Sequence, residues 1–105
     1  MIVIDTKIAN SVLLSKYDDG LQSYLDTTAK SYGYDNINTA ISYAEEPSVP
    51  KFQTEGKAFR TWRSLFWVKV NEIKNEVLAG ERDIPSIEEI ISASPILDLP
   101  PSNLT

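Results

Sequence analysis

The sequence predicts an all-α protein, a small helical domain with one long helix over about 50–79, two shorter helices before it, a short capped helix after it, and extended apolar termini. Three observations lead there. Apolar residues recur at helical spacing along most of the chain, glycines fall where the periodic stretches stop, and prolines gather between and after them. At 105 residues the chain is one domain by size, enough to remove roughly two thirds of its unfolded surface from water. A hydrophobic share of 42% and a charged share of 24% are those of an ordinary globular protein. The expected organisation is a single helical domain over 1–105, with residues 1–7 as an extended arm and 93–105 as a Pro-rich extended tail.

The first five residues, MIVID, are β-branched or apolar except Asp5, and suit a short strand or a docking arm. From Ile8 onward Val12, Leu21, Tyr24, Leu25 and Thr28 keep a helical spacing, but Gly20 after Asp18-Asp19 weakens the middle. The first helix is therefore expected from about Asp18 to Ser31, with another turn or two upstream as an option, and Gly33 as its stop. Asp35 is placed to cap the second helix, where Ile37, Ala40, Ile41 and Ala44 form one stripe. EEPSVP ends it, because two prolines three residues apart cannot continue a helix. The long helix follows. Phe59, Trp62, Phe66, Val70, Ile73 and Val77 are separated by 3, 4, 4, 3 and 4 residues, the period of one face, and Gly80 closes it. At 1.5 Å per residue this rod is on the order of 45 Å long. Ser86 and Glu89 have the spacing of a capping box, predicting a short helix from Ile87 to about Ser92. Prolines at 85, 95, 100 and 101 make SPILDLPPSNLT an extended, polyproline-like tail with Ile96, Leu97 and Leu99 available to dock.

The segment FRTWRSLFWVKV, residues 59–70, poses the sharpest question. Basic residues interleaved with aromatics can form a stacking platform for nucleic acid, or one helix with a very apolar face. Placed on a helix, Phe59, Trp62 and Phe66 share a face, while Arg60, Arg63, Ser64 and Lys69 lie around its edges or opposite. Nucleic-acid platforms of this composition sit on sheets or loops, and a net charge of −5 repels phosphate. The reading is a core face. Trp67 does not fit a single face, because it lies about 100° round from Phe66 with Leu65 on the other side. A helix apolar on more than one side is buried on more than one side. In a domain this small the second contact is another copy or another protein.

The chain has no cysteine, which excludes a disulfide framework, thiol catalysis and Cys-ligated zinc. It has no histidine, the commonest general base and metal ligand. The pairs Asp18-Asp19, Glu45-Glu46 and Glu88-Glu89 are sequence neighbours that diverge by about 100° on helices, so they read as solvated helix ends. Glu88 and Glu89 suit a first turn, where the helix dipole favours anions. A metal-dependent enzyme built from acids alone would need carboxylates from separate segments in one pocket, and no Ca²⁺-loop spacing supports it. The four glycines are too scattered for a phosphate-cradling loop. No enzyme activity and no cofactor are expected. MIVID lacks a basic n-region, so it does not read as a signal peptide, and no apolar run is long enough to span a bilayer. Gly56, within TEGKAF, costs up to about 1 kcal/mol relative to Ala in a helix. Close approach of the second helix through Ala40 and Ala44 is the preferred reason for it, over a ligand contact.

Three segments, YDNINTAISYA, PKFQTEGKAFRTWRSLFW and GERDIPSIEEII, with a closing LP, resemble a family of small bacteriophage proteins encoded beside tail-fibre genes. They are described as tail-fibre proteins or fibre-assembly chaperones. The likeness runs over about residues 34–100, through Tyr34, Asp35, Tyr43, Phe52, Glu55, Gly56, Trp62, Arg63, Trp67, Gly80, Arg82, Pro85, Glu88, Glu89, Leu99 and Pro100 among others. It contains no catalytic signature, and the first 33 residues lie outside it. The resemblance implies a protein that binds a tail fibre or another tail protein, as an assembly chaperone or a small structural component. Its setting would be the host cytoplasm during assembly, or the virion tail if it is retained. The residues singled out for partner contact are Ile2, Val3 and Ile4 of the arm, Arg63 and Trp67 of the long helix, and Ile96, Leu97 and Leu99 of the tail. A homo-oligomer is a further option; nucleic acid and membrane are not expected partners. The alternative from another class is a small phage-encoded inhibitor or regulator of a host protein.

Overall fold

The computed structural model describes the backbone of residues 6–99 and the side chains from residue 14 onward. Its elements are α1 (Thr6–Ser31), α2 (Ile37–Ser42), which tightens into a 3₁₀ turn (Tyr43–Glu45), α3 (Pro50–Leu78) and α4 (Ile87–Ala93). Among the described residues there is no strand. The fold is all-α, with one long helix, as the periodicity predicts.

The ends of the elements follow from local chemistry. Gly33 and Gly80 adopt φ of 96° and 76°, a conformation that costs other residues dearly. At each, two backbone bonds close the helix end in a Schellman motif: Gly33 N–H to Lys30 C=O and Tyr34 N–H to Ala29 C=O, then Gly80 N–H to Val77 C=O and Glu81 N–H to Glu76 C=O. α3 starts on Pro50, whose missing N–H is one the first turn would leave unpaired anyway. The capping box of α4 is complete. Ser86 Oγ accepts from Glu89 N–H at 3.1 Å, and the Glu89 carboxylate accepts from Ser86 N–H at 3.3 Å.

Two expectations need correction. α1 begins at Thr6, some twelve residues before Asp18, so Thr6 and Lys7 are helical rather than part of an extended arm; residues 1–5 lie outside the described residues. The helix runs through Gly20 because that glycine serves packing. A Cβ there would come within 2.8 Å of Ile87 Cδ1 in α4, and the contact outweighs a propensity cost of about 1 kcal/mol. The cap of α2 is Asn36, not Asp35; its side chain accepts from Thr39 N–H at 2.8 Å. The next backbone donor, Ile37 N–H, goes to Asp26 Oδ1 at 3.0 Å, which fixes the start of α2 against α1.

α1 and α3 run antiparallel, pinned at one end by the Asp18–Lys74 ion pair and at the other by Tyr34, which donates to the Glu55 carboxylate at 2.7 Å. Between those ends lies the core. Phe59, Trp62, Phe66, Val70, Ile73 and Val77 of α3 are all buried, as predicted, and the first five form one core cluster with Leu21, Leu25 and Ala29 of α1, Ile37 and Ala40 of α2, and Ile90 of α4. Tyr24 lies 5.8 Å from both Trp62 and Phe66, edge-on to the first. Burying each large apolar side chain of this kind contributes about 1.5–3 kcal/mol, and the tilted ring pairs add about 0.5–1.5 kcal/mol each. Gly56 admits the second helix as expected. A Cβ there would meet Ala44 N at 2.7 Å and Ala40 O at 2.8 Å.

Candidate protein-binding surface

The residues expected to meet a partner fall on three separate places. Ile2, Val3 and Ile4 lie outside the described residues. Arg63 and Trp67 sit on the flank of α3 that faces α2. There Arg63 reaches Asn38 Oδ1 at 3.4 Å, and one turn earlier Arg60 pairs with Glu45 at 2.6 Å. The bond from Arg60 holds the Glu45 carboxyl below its usual range. Trp67 is half-buried rather than exposed; it packs on the core, its ring edge-on to Phe66 at 5.5 Å and 88°. The wide apolar arc is thus partly covered from within.

The tail occupies the opposite flank. Trp62 Nε1 donates to Pro95 C=O at 3.0 Å, which ties the extended segment 94–99 to α3. That bond also satisfies the indole donor as the ring is buried. Leu97 and Leu99 turn inward and pack on the core, while Ile96 between them is 89% exposed. Of the three tail residues expected to dock, two dock on the chain's own body. Only Ile96 is left for anything else.

Ile96 is not alone. On the outward face of α3, Leu65 is 50% exposed and Val68 54% exposed. They are three residues apart, which places them about 60° apart on one side of the helix. A groove of about 410 Å³ runs between this face and the tail, lined by Thr54, Lys57, Ala58, Thr61, Trp62, Leu65, Pro95, Ile96 and Asp98. The α3 residues of this surface carry their own pattern, since Thr54, Ala58, Thr61, Leu65 and Val68 are spaced 4, 3, 4 and 3. That second stripe was readable in the sequence. It is masked by the far stronger aromatic stripe, because threonine and alanine carry little hydropathy. In the sequence Leu65 reads only as one edge of the wide apolar arc around Phe66.

The chemistry of this surface is that of contact. The charges near it, Lys57 and Asp98, are of opposite sign and exposed. Among the described residues no group of three or more acidic side chains is placed to hold a metal ion. No described helix is long and apolar enough to cross a membrane. In comparisons with protein-family models, curated proteins and solved structures, nothing matches this chain.

Proposed function

We propose that the protein works by binding another protein through the apolar surface formed by Leu65, Val68 and Ile96, and that its partner is a phage tail fibre or another tail protein. It acts on that partner as an assembly chaperone or stays with it as a small tail component. The single observation that carries the binding role is the continuity of this surface. Leu65 and Ile96, on two separate segments, are each at least half exposed and line one groove, and Val68, 54% exposed, adjoins Leu65 on the outward face of α3. Apolar surface grouped in this way marks interaction sites on soluble domains, whereas single exposed apolar residues do not. The tail-fibre partner rests on the resemblance carried by YDNINTAISYA, PKFQTEGKAFRTWRSLFW and GERDIPSIEEII.

The test is co-expression with a phage tail-fibre chain. The proposal expects more soluble, trimeric fibre in the presence of the protein, and less of that effect when Leu65 and Ile96 are both changed to Ser. Deleting the tail is the poorer experiment, because Leu97 and Leu99 pack on the core. Fibre yield and trimerisation indifferent to the protein would defeat the chaperone role. Its absence from the purified fibre complex as well would defeat the structural one.

A further inference from the structure

A second cleft, of about 260 Å³, opens where the end of α1, the start of α2, the 3₁₀ turn and the first turn of α3 meet. Its walls are aromatic. Tyr34, Tyr43 and Phe52 stand in mutual contact, with ring centroids 5.2–6.2 Å apart and planes tilted by 51–73°, and Tyr32 at the rim is 49% exposed. The remaining feature is Asp35. Its neighbour Asn36 has taken the capping role, which leaves the Asp35 side chain exposed, lining the cleft, with no hydrogen bond or ion pair to a described residue. A carboxylate with no structural duty therefore shares a cleft with several aromatic rings.

The face of an aromatic ring carries the negative end of its quadrupole, so a cleft lined by several rings and a carboxylate suits a cation that can stack on a ring. The same cluster already holds one, where Lys51 Nζ lies 5.7 Å from the Phe52 centroid while pairing with Glu55 at 3.4 Å. Between the two protein cations the planar guanidinium fits better. It stacks on rings, forks onto a carboxylate and sheds water more readily than an ammonium. We infer that this cleft receives an arginine side chain of a partner protein, held between the aromatic walls and the Asp35 carboxylate. The chain's net charge of −5 favours the approach of such a partner. The inference does not depend on that partner being a fibre, nor on the groove beside Ile96.

The experiment uses N-acetyl-arginine amide, which presents the side chain without free main-chain charges, titrated into the isotopically labelled full chain at low salt. Amide shifts in a two-dimensional nitrogen–proton spectrum should gather at Tyr32, Gly33, Asp35, Tyr43 and Phe52. The neutral isostere, N-acetyl-citrulline amide, should not produce them, and N-acetyl-lysine amide should bind more weakly. Asp35→Asn should weaken arginine about three- to fivefold, the size of an exposed ion pair, and Tyr32→Ser about two- to threefold, an exposed cation–π contact. Both residues lie outside the core, and circular dichroism checks that each variant keeps its helix content. Shifts scattered elsewhere, no shifts, equal binding of citrulline, or an affinity unmoved by Asp35→Asn would each overturn the site; lysine binding as tightly as arginine would overturn the guanidinium assignment.

Discussion

Replacing Gly56 by alanine tests the packing argument where propensity and tertiary structure disagree in sign. In an isolated helix the change stabilises by about 1 kcal/mol. Here the new methyl would meet three backbone atoms, Ala44 N at 2.7 Å, Ala40 O at 2.8 Å and the Tyr43 carbonyl carbon at 3.0 Å. Backbone cannot rotate aside as a side-chain tip can, so α2 and the 3₁₀ turn must move away from α3 as a unit. That movement carries Ile37, Ala40 and Ala44, all buried, out of their contacts. Overpacking of this kind costs about 1–3 kcal/mol and occasionally more, and the involvement of three backbone atoms puts Gly56→Ala at or above the top of that range. After the propensity gain, a net loss of about 2 kcal/mol remains, equivalent to a fall in Tm of roughly 8–16 °C for a domain of this size. Urea unfolding followed by far-UV circular dichroism reads it directly. A Gly56→Ala variant as stable as the parent would refute the close approach of α2 and, with it, the packing of this half of the molecule.

The other glycine with a packing reason makes a contrast, because a Cβ at Gly20 meets only the Ile87 side-chain tip at 2.8 Å. Gly20→Ala should therefore be close to neutral, and Gly20→Ala with Ile87→Val should gain up to about 1 kcal/mol of stability in the same unfolding assay. Trp62→Ala or Phe66→Ala should cost roughly 3–5 kcal/mol, whereas half-buried Trp67→Ala should cost about 1–2 kcal/mol; midpoints unmoved at Trp62 would show that the ring does not lie in the core. Ser86→Ala removes the cap of α4 and should cost about 1 kcal/mol, read as a lower urea midpoint with an unchanged slope. The Tyr34 phenol is pushed well above its ordinary range, first by burial and then by its bond to Glu55. A pKa raised on folding gives stability that is complete below the unfolded value, about 10, and is lost as pH climbs toward the folded one. Tyr34→Phe should flatten that alkaline loss, and equal alkaline sensitivity in the two proteins would contradict it.

The features that local chemistry decides were legible in the sequence. The α3 stripe from Phe59 to Val77, the stops at Gly33 and Gly80 and the capping box at Ser86 and Glu89 each depend on residues within a few positions of one another. What the sequence hides depends on distant partners. Gly20 looks like a helix break until Ile87, 67 positions later, is seen to fill the space beside it. Asp35 and Asn36 are equally good caps by type, and the choice between them follows from Asp26, which takes the Ile37 N–H from the side of α1. In the candidate surface the exposure of Ile96 and the inward packing of Leu97 and Leu99 go with a contact to a distant residue, the Trp62 bond to Pro95. Nothing in SPILDLPP alone announces which of its apolar residues face the body.

Site-specific photo-crosslinking is the sharpest test of the proposal that the protein meets its partner at the groove between α3 and the tail. Benzoylphenylalanine placed singly at Leu65 and at Ile96, both at least half exposed, should on irradiation of the co-expressed complex form covalent adducts with the fibre chain. The same group at Glu81, exposed just beyond the far end of α3, should form none. Adducts at Glu81 but not at Leu65 and Ile96 would contradict the claim, as would adducts of the protein with itself alone.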